Sequence, residues 1–335
     1  MLRPLLVLLF AVSLPLQAQQ PSAPAGQVDA QAIAAERVWR NYQQRTAVLL
    51  AASGQPRNLA LAAVLHDVAN MDPEGGIAEN ATTTGWRQAA AQQAGADVIA
   101  NSMLMMGAEA GGALREQAAR RWAQAEPDNI APLLLLDGGA EMALARARDL
   151  RRFDLHMYDQ VRWIQSALLR HPPSAAERSV LMGQKGTVEE LAADSAMALW
   201  AAVALPSLQP LTFACSDGTA LRSMPARAAD CAQIARVLVG FSDSGLGRMM
   251  GIGMLERMAG NASERAEVQA LLLRMNWQMS EWGRIASSQE RDGLPQFVRL
   301  LADPQVRTEQ DLIERVLAEA GVPLDPPAGW QPPRR

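Results

Sequence analysis

Runs in which valine, isoleucine, threonine or aromatic residues alternate with polar ones are nearly absent from the chain, and such alternation marks a half-buried strand. Instead, charged stretches give way to aliphatic ones across short polar breaks, as in RRWAQAEPDNIAPLLLL at 120–136. The pattern predicts helices over about 30–53, 57–69, 86–93, 95–108, 113–125, 130–150, 154–170, 174–182, 187–204, 227–240, 243–259, 262–289 and 308–320. Between them lie SGQPRN at 53–58, NMDPEGG at 70–76, EPDN at 126–129, HPP at 171–173 and LADP at 301–304, rich in the residues that stop helices. Ser174 with Glu177, Thr187 with Glu190 and Asn261 with Glu264 have the spacing of capping boxes, and Thr308 with Asp311 is a variant of it. In such a box a side chain satisfies a free N–H and an acid three residues on answers back. Short connections between helices of similar length imply antiparallel neighbours. The expected fold is all-α, an irregular helical array of α-solenoid-like antiparallel pairs. An N-terminal helical lobe is expected over 30–172 and a C-terminal one over 173–322, followed by a Pro-rich tail over 323–335 that cannot continue a helix.

The segment before the first helix changes the picture. MLRPLLVLLFAVSLPLQAQQ carries one cation, Arg3, an apolar run from Leu5 to Leu16 and a small residue at Ala18, the layout of a secretory signal. The run is short for a bilayer core of about 30 Å. The expectation is a signal peptide over 1–18, cleavage before Gln19 with Ala25 as a second site, and a flexible linker over 19–29. That places the mature protein in the bacterial periplasm or outside the cell, with no transmembrane segment. Cys215 and Cys231 are the chain's two cysteines and share one mostly polar segment, in which Asp217-Gly218 signals a turn. In an oxidising compartment they are expected to form a structural disulfide.

Around the EPDN break the chain resembles the junction between two tetratricopeptide repeats. Pro127 and Asn129 occupy the turn, and Leu133 and Leu136 take the large positions of the next helix. Asp137 stands where that family has a small residue, Ala140 where it has an aromatic one, and no second copy follows at the family's period of about 34 residues. The resemblance covers about 20 residues and implies a helical-repeat architecture.

Composition bears mainly on what to exclude. The 335 residues carry a formal net charge of −4, so there is no basic footprint for nucleic acid. Lys185 is the only lysine among the cations, which reads as the codon bias of a GC-rich bacterial genome. The chain lacks HExxH, GxSxG, GxGxxG and GxxxxGK[ST], the motifs of zinc proteases, serine hydrolases and nucleotide-binding loops. GFSDSG at 240–245 comes nearest to a nucleophile elbow, but Ser242 or Asp243 is better read as the N-cap of the following helix. Weak site candidates are His66 with Asp67, a dyad without an upstream histidine, and His156 with Asp159, spaced i, i+3 on one expected helix. No catalytic set, cofactor or metal is assigned on these grounds.

Two patterns point further. Met250, Met254 and Met258 recur every four residues, and Met275 with Met279 repeats the spacing. A core stripe is the expected reading, with a partner groove or a soft-metal site for Cu(I) as alternatives. Gly247, Gly251 and Gly253 favour the core by letting a neighbouring helix come close. Arg146, Arg148, Arg151 and Arg152 cluster with interleaved aspartates, either a solvated face or a site for an anionic glycan or lipid headgroup. Seven tryptophans, Trp39, Trp86, Trp122, Trp163, Trp200, Trp277 and Trp282, are spread along the expected helices as core anchors. The expected function is a non-enzymatic interaction or scaffolding module with a protein partner in the cell envelope. An envelope hydrolase built from dispersed histidines and carboxylates, or copper handling through methionine, is the alternative.

Overall fold

The computed structural model describes residues 25–72, 77, 80–105, 112–182, 186–203, 207–216, 221, 223–288 and 293–332. The signal-like segment at 1–18 and the Asp217-Gly218 turn lie outside the described residues. Among the described residues there are sixteen helices and no strand. The first half contains α1 (Ala25–Ala51), α2 (Pro56–Ala69), α3 (Ala81–Gln93), α4 (Val98–Leu104), α5 (Ala113–Ala125), α6 (Ile130–Leu133), α7 (Gly139–Ala145) and α8 (Met157–Arg170). The second contains α9 (Ala175–Leu181), α10 (Val188–Val203), α11 (Gln209–Ala214), α12 (Pro225–Phe241), α13 (Gly245–Met258), α14 (Ala262–Ser288), α15 (Gly293–Leu301) and α16 (Glu309–Glu319). The protein is all-α. α1 begins inside the stretch 19–29 expected as linker, while α11 and α15 have no counterpart among the expected helices.

Helix ends follow the local chemistry. Ser174 and Thr308 form reciprocal capping boxes with Glu177 and Asp311. Thr187 and Glu190 exchange the same pair of bonds, at 3.2 and 2.9 Å. Asn261 accepts from the Glu264 N–H, but Glu264 reaches back one residue further, to the N–H of Gly260. One expected helix does not form. The stretch 130–150 splits into α6 and α7 because Gly138 turns left-handed, with φ +69°, and Gly139 lies against the backbone of Leu133. A Cβ on Gly139 would sit 2.0 Å from the Leu133 carbonyl oxygen. The tetratricopeptide-like helix expected after EPDN is therefore a single turn.

Successive helices pack as neighbours in α1–α2–α3 and in α12–α13, where missing side chains matter. A Cβ on Gly251 would meet the Ala235 carbonyl oxygen at 2.8 Å, and one on Gly247 would meet Phe153 at 2.9 Å. Nothing lies within 4 Å of the Cβ position of Gly253. Other contacts join helices far apart in sequence: α1 with α9, α8 with α10, α10 with α15, and α14 with α16. A strict solenoid contacts only its neighbours; here one hydrophobic cluster runs from Tyr42 to Leu317. Trp122 and Trp200 are buried in it, and Trp39, Trp86, Trp163 and Trp282 pack against it. The Arg162 guanidinium ties α8 to the turn after α15, donating to the carbonyls of Leu301 and Asp303, both at 2.7 Å, and to that of Val306. The disulfide joins Cys215, at the C-terminal end of α11, to Cys231 within α12, and both residues are buried. The polar segment between the cysteines is thus partly helical rather than one loop.

Candidate functional site

The EPDN break proves to be a buried junction. Three non-helical pieces meet there in two isolated parallel bridges, Asn129 with Arg152 and Phe153 with Ser242. The Ile130 N–H donates to the Arg152 carbonyl at 2.9 Å, and the Asp243 N–H to the Phe153 carbonyl at 3.1 Å. Asn129 is fully buried, caps α6 through the Ala131 N–H and holds the Asp154 backbone from both sides. Asp154 then leads into His156, whose φ of +56° makes it the left-handed N-cap of α8. His156 and Asp159 are therefore not two positions of one continuous helix, as expected; α8 starts only at Met157.

Glu126 gathers the charge of this junction. Its Oε2 accepts from Trp122 at 2.8 Å and from Asn129 at 2.9 Å, and lies 2.9 Å from His156 Nε2. Arg152 sits 3.3 Å from its other oxygen. Burial opposes ionisation, but the hydrogen bonds from His156, Asn129 and Trp122 outweigh it and hold the carboxyl at about 2. Burial likewise opposes the charge on His156, yet the carboxylates of Asp159, Glu126 and Asp154 raise it to about 10. At neutral pH the ring is an imidazolium with no lone pair for a metal or a substrate proton. It works here as a fixed cation that ties three carboxylates together.

Behind this lies a second set of acids. The Asp243 carboxylate accepts from the N–H groups of Leu155 and Met157, both at 3.0 Å, and so caps α8 from across the fold. Burial and the nearby charge of Asp154 push it above the ordinary carboxylate range. Glu309, also raised by burial, accepts from the Gly245 N–H at 2.6 Å, while its own N–H donates to the Asp243 carbonyl at 2.9 Å. The N-cap of α13 is Ser244, which accepts from Gly247 at 3.2 Å, and not Ser242 or Asp243 as expected. Acids meet helix starts at two of these places, Asp243 at α8 and Glu309 at α13, where free N–H groups donate to a hydrogen-bonding oxygen.

The other candidates are also placed. Asp67 is buried and paired with Arg87. His66 presents its ring edge-on to Trp86, with centroids 5.8 Å apart, and to the Asn70 amide at 3.2 Å. Adjacent in sequence, the two residues serve different neighbours. No group of three or more His, Cys, Asp or Glu side chains is arranged to hold a metal ion among the described residues. Met254 is fully buried, and Met250 and Met258 pack against the core. Met275 is half-buried, and Met279 and Met249, the latter next to Met250 in sequence, are 40% exposed.

An open hollow lies where the arginine-rich turn faces α12. Arg148 and Arg151 from the turn, with Ala229, Asp230, Gln233 and Arg236 from α12, line a depression of about 410 Å³. The α12 residues fall on one helical face. Arg227 joins Glu141 through two bonds of 2.7 Å, linking α12 to α7, and Arg146 donates to the Pro127 carbonyl at 2.6 Å. Arg151 is steered by the carbonyls of Arg148 and Leu150. Arg148 and Arg236 are exposed, and their guanidiniums have no ion-pair or hydrogen-bond partner among the described residues. The turn's arginines were legible in the sequence. Arg236, far along the chain, was not, because only tertiary packing brings it to them. No family model, curated protein or solved structure matches the chain.

Proposed function

We propose that the protein is a non-enzymatic binding module of the bacterial periplasm that takes an anionic partner at the depression between the 146–152 turn and α12. The carrying observation is three exposed guanidiniums around one open hollow, two of them unpaired, against a single lining carboxylate, Asp230. Planar guanidinium groups suit carboxylate, sulfate or phosphate oxygens, which they bind in pairs. The wall behind them is joined to α7 by the Arg227–Glu141 pair. Export is supported by the signal-like layout of 1–18 and by a disulfide between buried cysteines. No helix among the described residues is long and apolar enough to cross a membrane.

Crosslinking in intact periplasm tests the reading, with the mature chain as bait and mass spectrometry as the readout. A near-stoichiometric acidic partner should be captured by the native chain and lost from an Arg148→Glu/Arg236→Glu variant whose circular dichroism is unchanged. Equal capture by both chains would refute the site. An intact Met1 on the recovered protein, instead of a start at Gln19, would refute export.

A further inference from the structure

The chain's own C-terminal segment is seated on one face of α14. Arg274, Trp277 and Gln278 lie at i, i+3 and i+4, a single helical face. The Trp277 indole N–H donates to the Pro323 carbonyl at 2.8 Å, and the Gln278 amide to the Leu324 carbonyl at 3.1 Å. Arg274 lies 3.3 Å from the Asp325 carboxylate. The segment then turns at Pro327-Ala328-Gly329-Trp330, closed by the Trp330 N–H on the Pro327 carbonyl at 3.1 Å. Gly329 has a φ of +80°, the left-handed third position of such a turn. The turn brings Trp330 edge-on to Trp277, with centroids 5.4 Å apart.

The chemistry is that of proline-rich recognition. A proline-rich strand has few N–H groups and presents carbonyls, so its receptor must supply donors beside an aromatic surface. Trp277 supplies a donor and a ring together. The Gln278 donor is pre-set: the residue is only 2% exposed, and its carbonyl end accepts from Gln310 at 3.0 Å. Gln310 is itself fixed by the Arg248 guanidinium, so the Gln278 NH₂ group is left facing the segment. The three polar contacts between α14 and the segment all come from α14 side chains and end on two backbone carbonyls and one carboxylate, which another peptide of the same kind could offer.

We propose that the Arg274–Trp277–Gln278 face is a binding site for an extended proline-rich peptide with an acidic residue, carried by a partner protein and occupied in the resting chain by residues 323–330. A tethered segment sees its site at about millimolar effective concentration, so a free competitor is masked until the tail loosens. This site is separate from the arginine-lined depression and does not depend on it.

A labelled peptide of residues 322–332, VPLDPPAGWQP, tests this by fluorescence anisotropy on full-length chains. Asp325→Ala/Trp330→Ala removes tail contacts and leaves α14 intact; it should bind the peptide at least about tenfold more tightly than the unaltered chain. Adding Trp277→Phe, which keeps a ring and removes the donor, should cost about tenfold of that gain. On the unaltered chain, the Trp277 indole resonance should shift at millimolar peptide. A loosened chain with native circular dichroism that binds no peptide at millimolar concentration would overturn the proposal. So would binding indifferent to Trp277→Phe, or an indole resonance that stays in place.

Discussion

Glu126 and His156 set how the stability of this protein depends on pH. Glu126 is held at about 2, below its ordinary 4.5, so its contribution is complete above pH 4.5 and disappears as pH falls toward 2. His156 is held at about 10, above its ordinary 6.5, so its contribution is complete below pH 6.5 and disappears as pH rises toward 10. Asp243, raised by burial, lowers stability as pH rises from its ordinary 3.8 upward. Urea midpoints measured from pH 3 to 9 should therefore be highest near about 4–4.5, fall gently to about 6.5 and fall more steeply above it, and His156→Gln should flatten that steeper limb. A maximum near pH 8 would contradict the charge assignment. Glu126→Gln at pH 6 should cost about 1–3 kcal/mol, because it removes the nearest of the three carboxylates that face the partly buried His156 cation. Gly139 acts through space rather than charge. Gly139→Ala forces a methyl against the Leu133 carbonyl and should cost about 1–3 kcal/mol by the same unfolding measurement, whereas Gly253→Ala, with open space around it, should not destabilise.

Helices here begin where a carboxylate or hydroxyl meets their free N–H groups, and several of those caps come from distant elements. Local caps are readable from spacing, as at Ser174 and Thr308. The cap of α8 is not, because Asp243 arrives from more than eighty residues away. The covalent link between α11 and α12 belongs to the same scale. Reducing Cys215–Cys231 opens a loop with a sequence separation of 16 residues and should lower stability by about 3 kcal/mol. Thermal unfolding with and without reductant measures it; coincident curves would mean the link constrains nothing.

Contacts such as α1 with α9 and α10 with α15 join helices that are not successive in the chain, and the contact of α12 with α7 sets the hollow between α12 and the arginine-rich turn. At this scale, Arg148→Glu/Arg236→Glu should abolish partner capture without moving the thermal transition, since neither guanidinium has a structural partner among the described residues. A shifted transition would assign the pair to folding instead. Taken alone, the sequence determined the helical class, most helix ends and the cysteine pairing, because period, caps and breakers act within a few residues of one another. It could not place Arg236 beside Arg148, turn EPDN into a buried charge junction, or seat the tail on Trp277. Those outcomes depend on which helices pack together. That choice is made by buried apolar area and by long-range ligation of helix ends, neither of which leaves a local pattern in the chain.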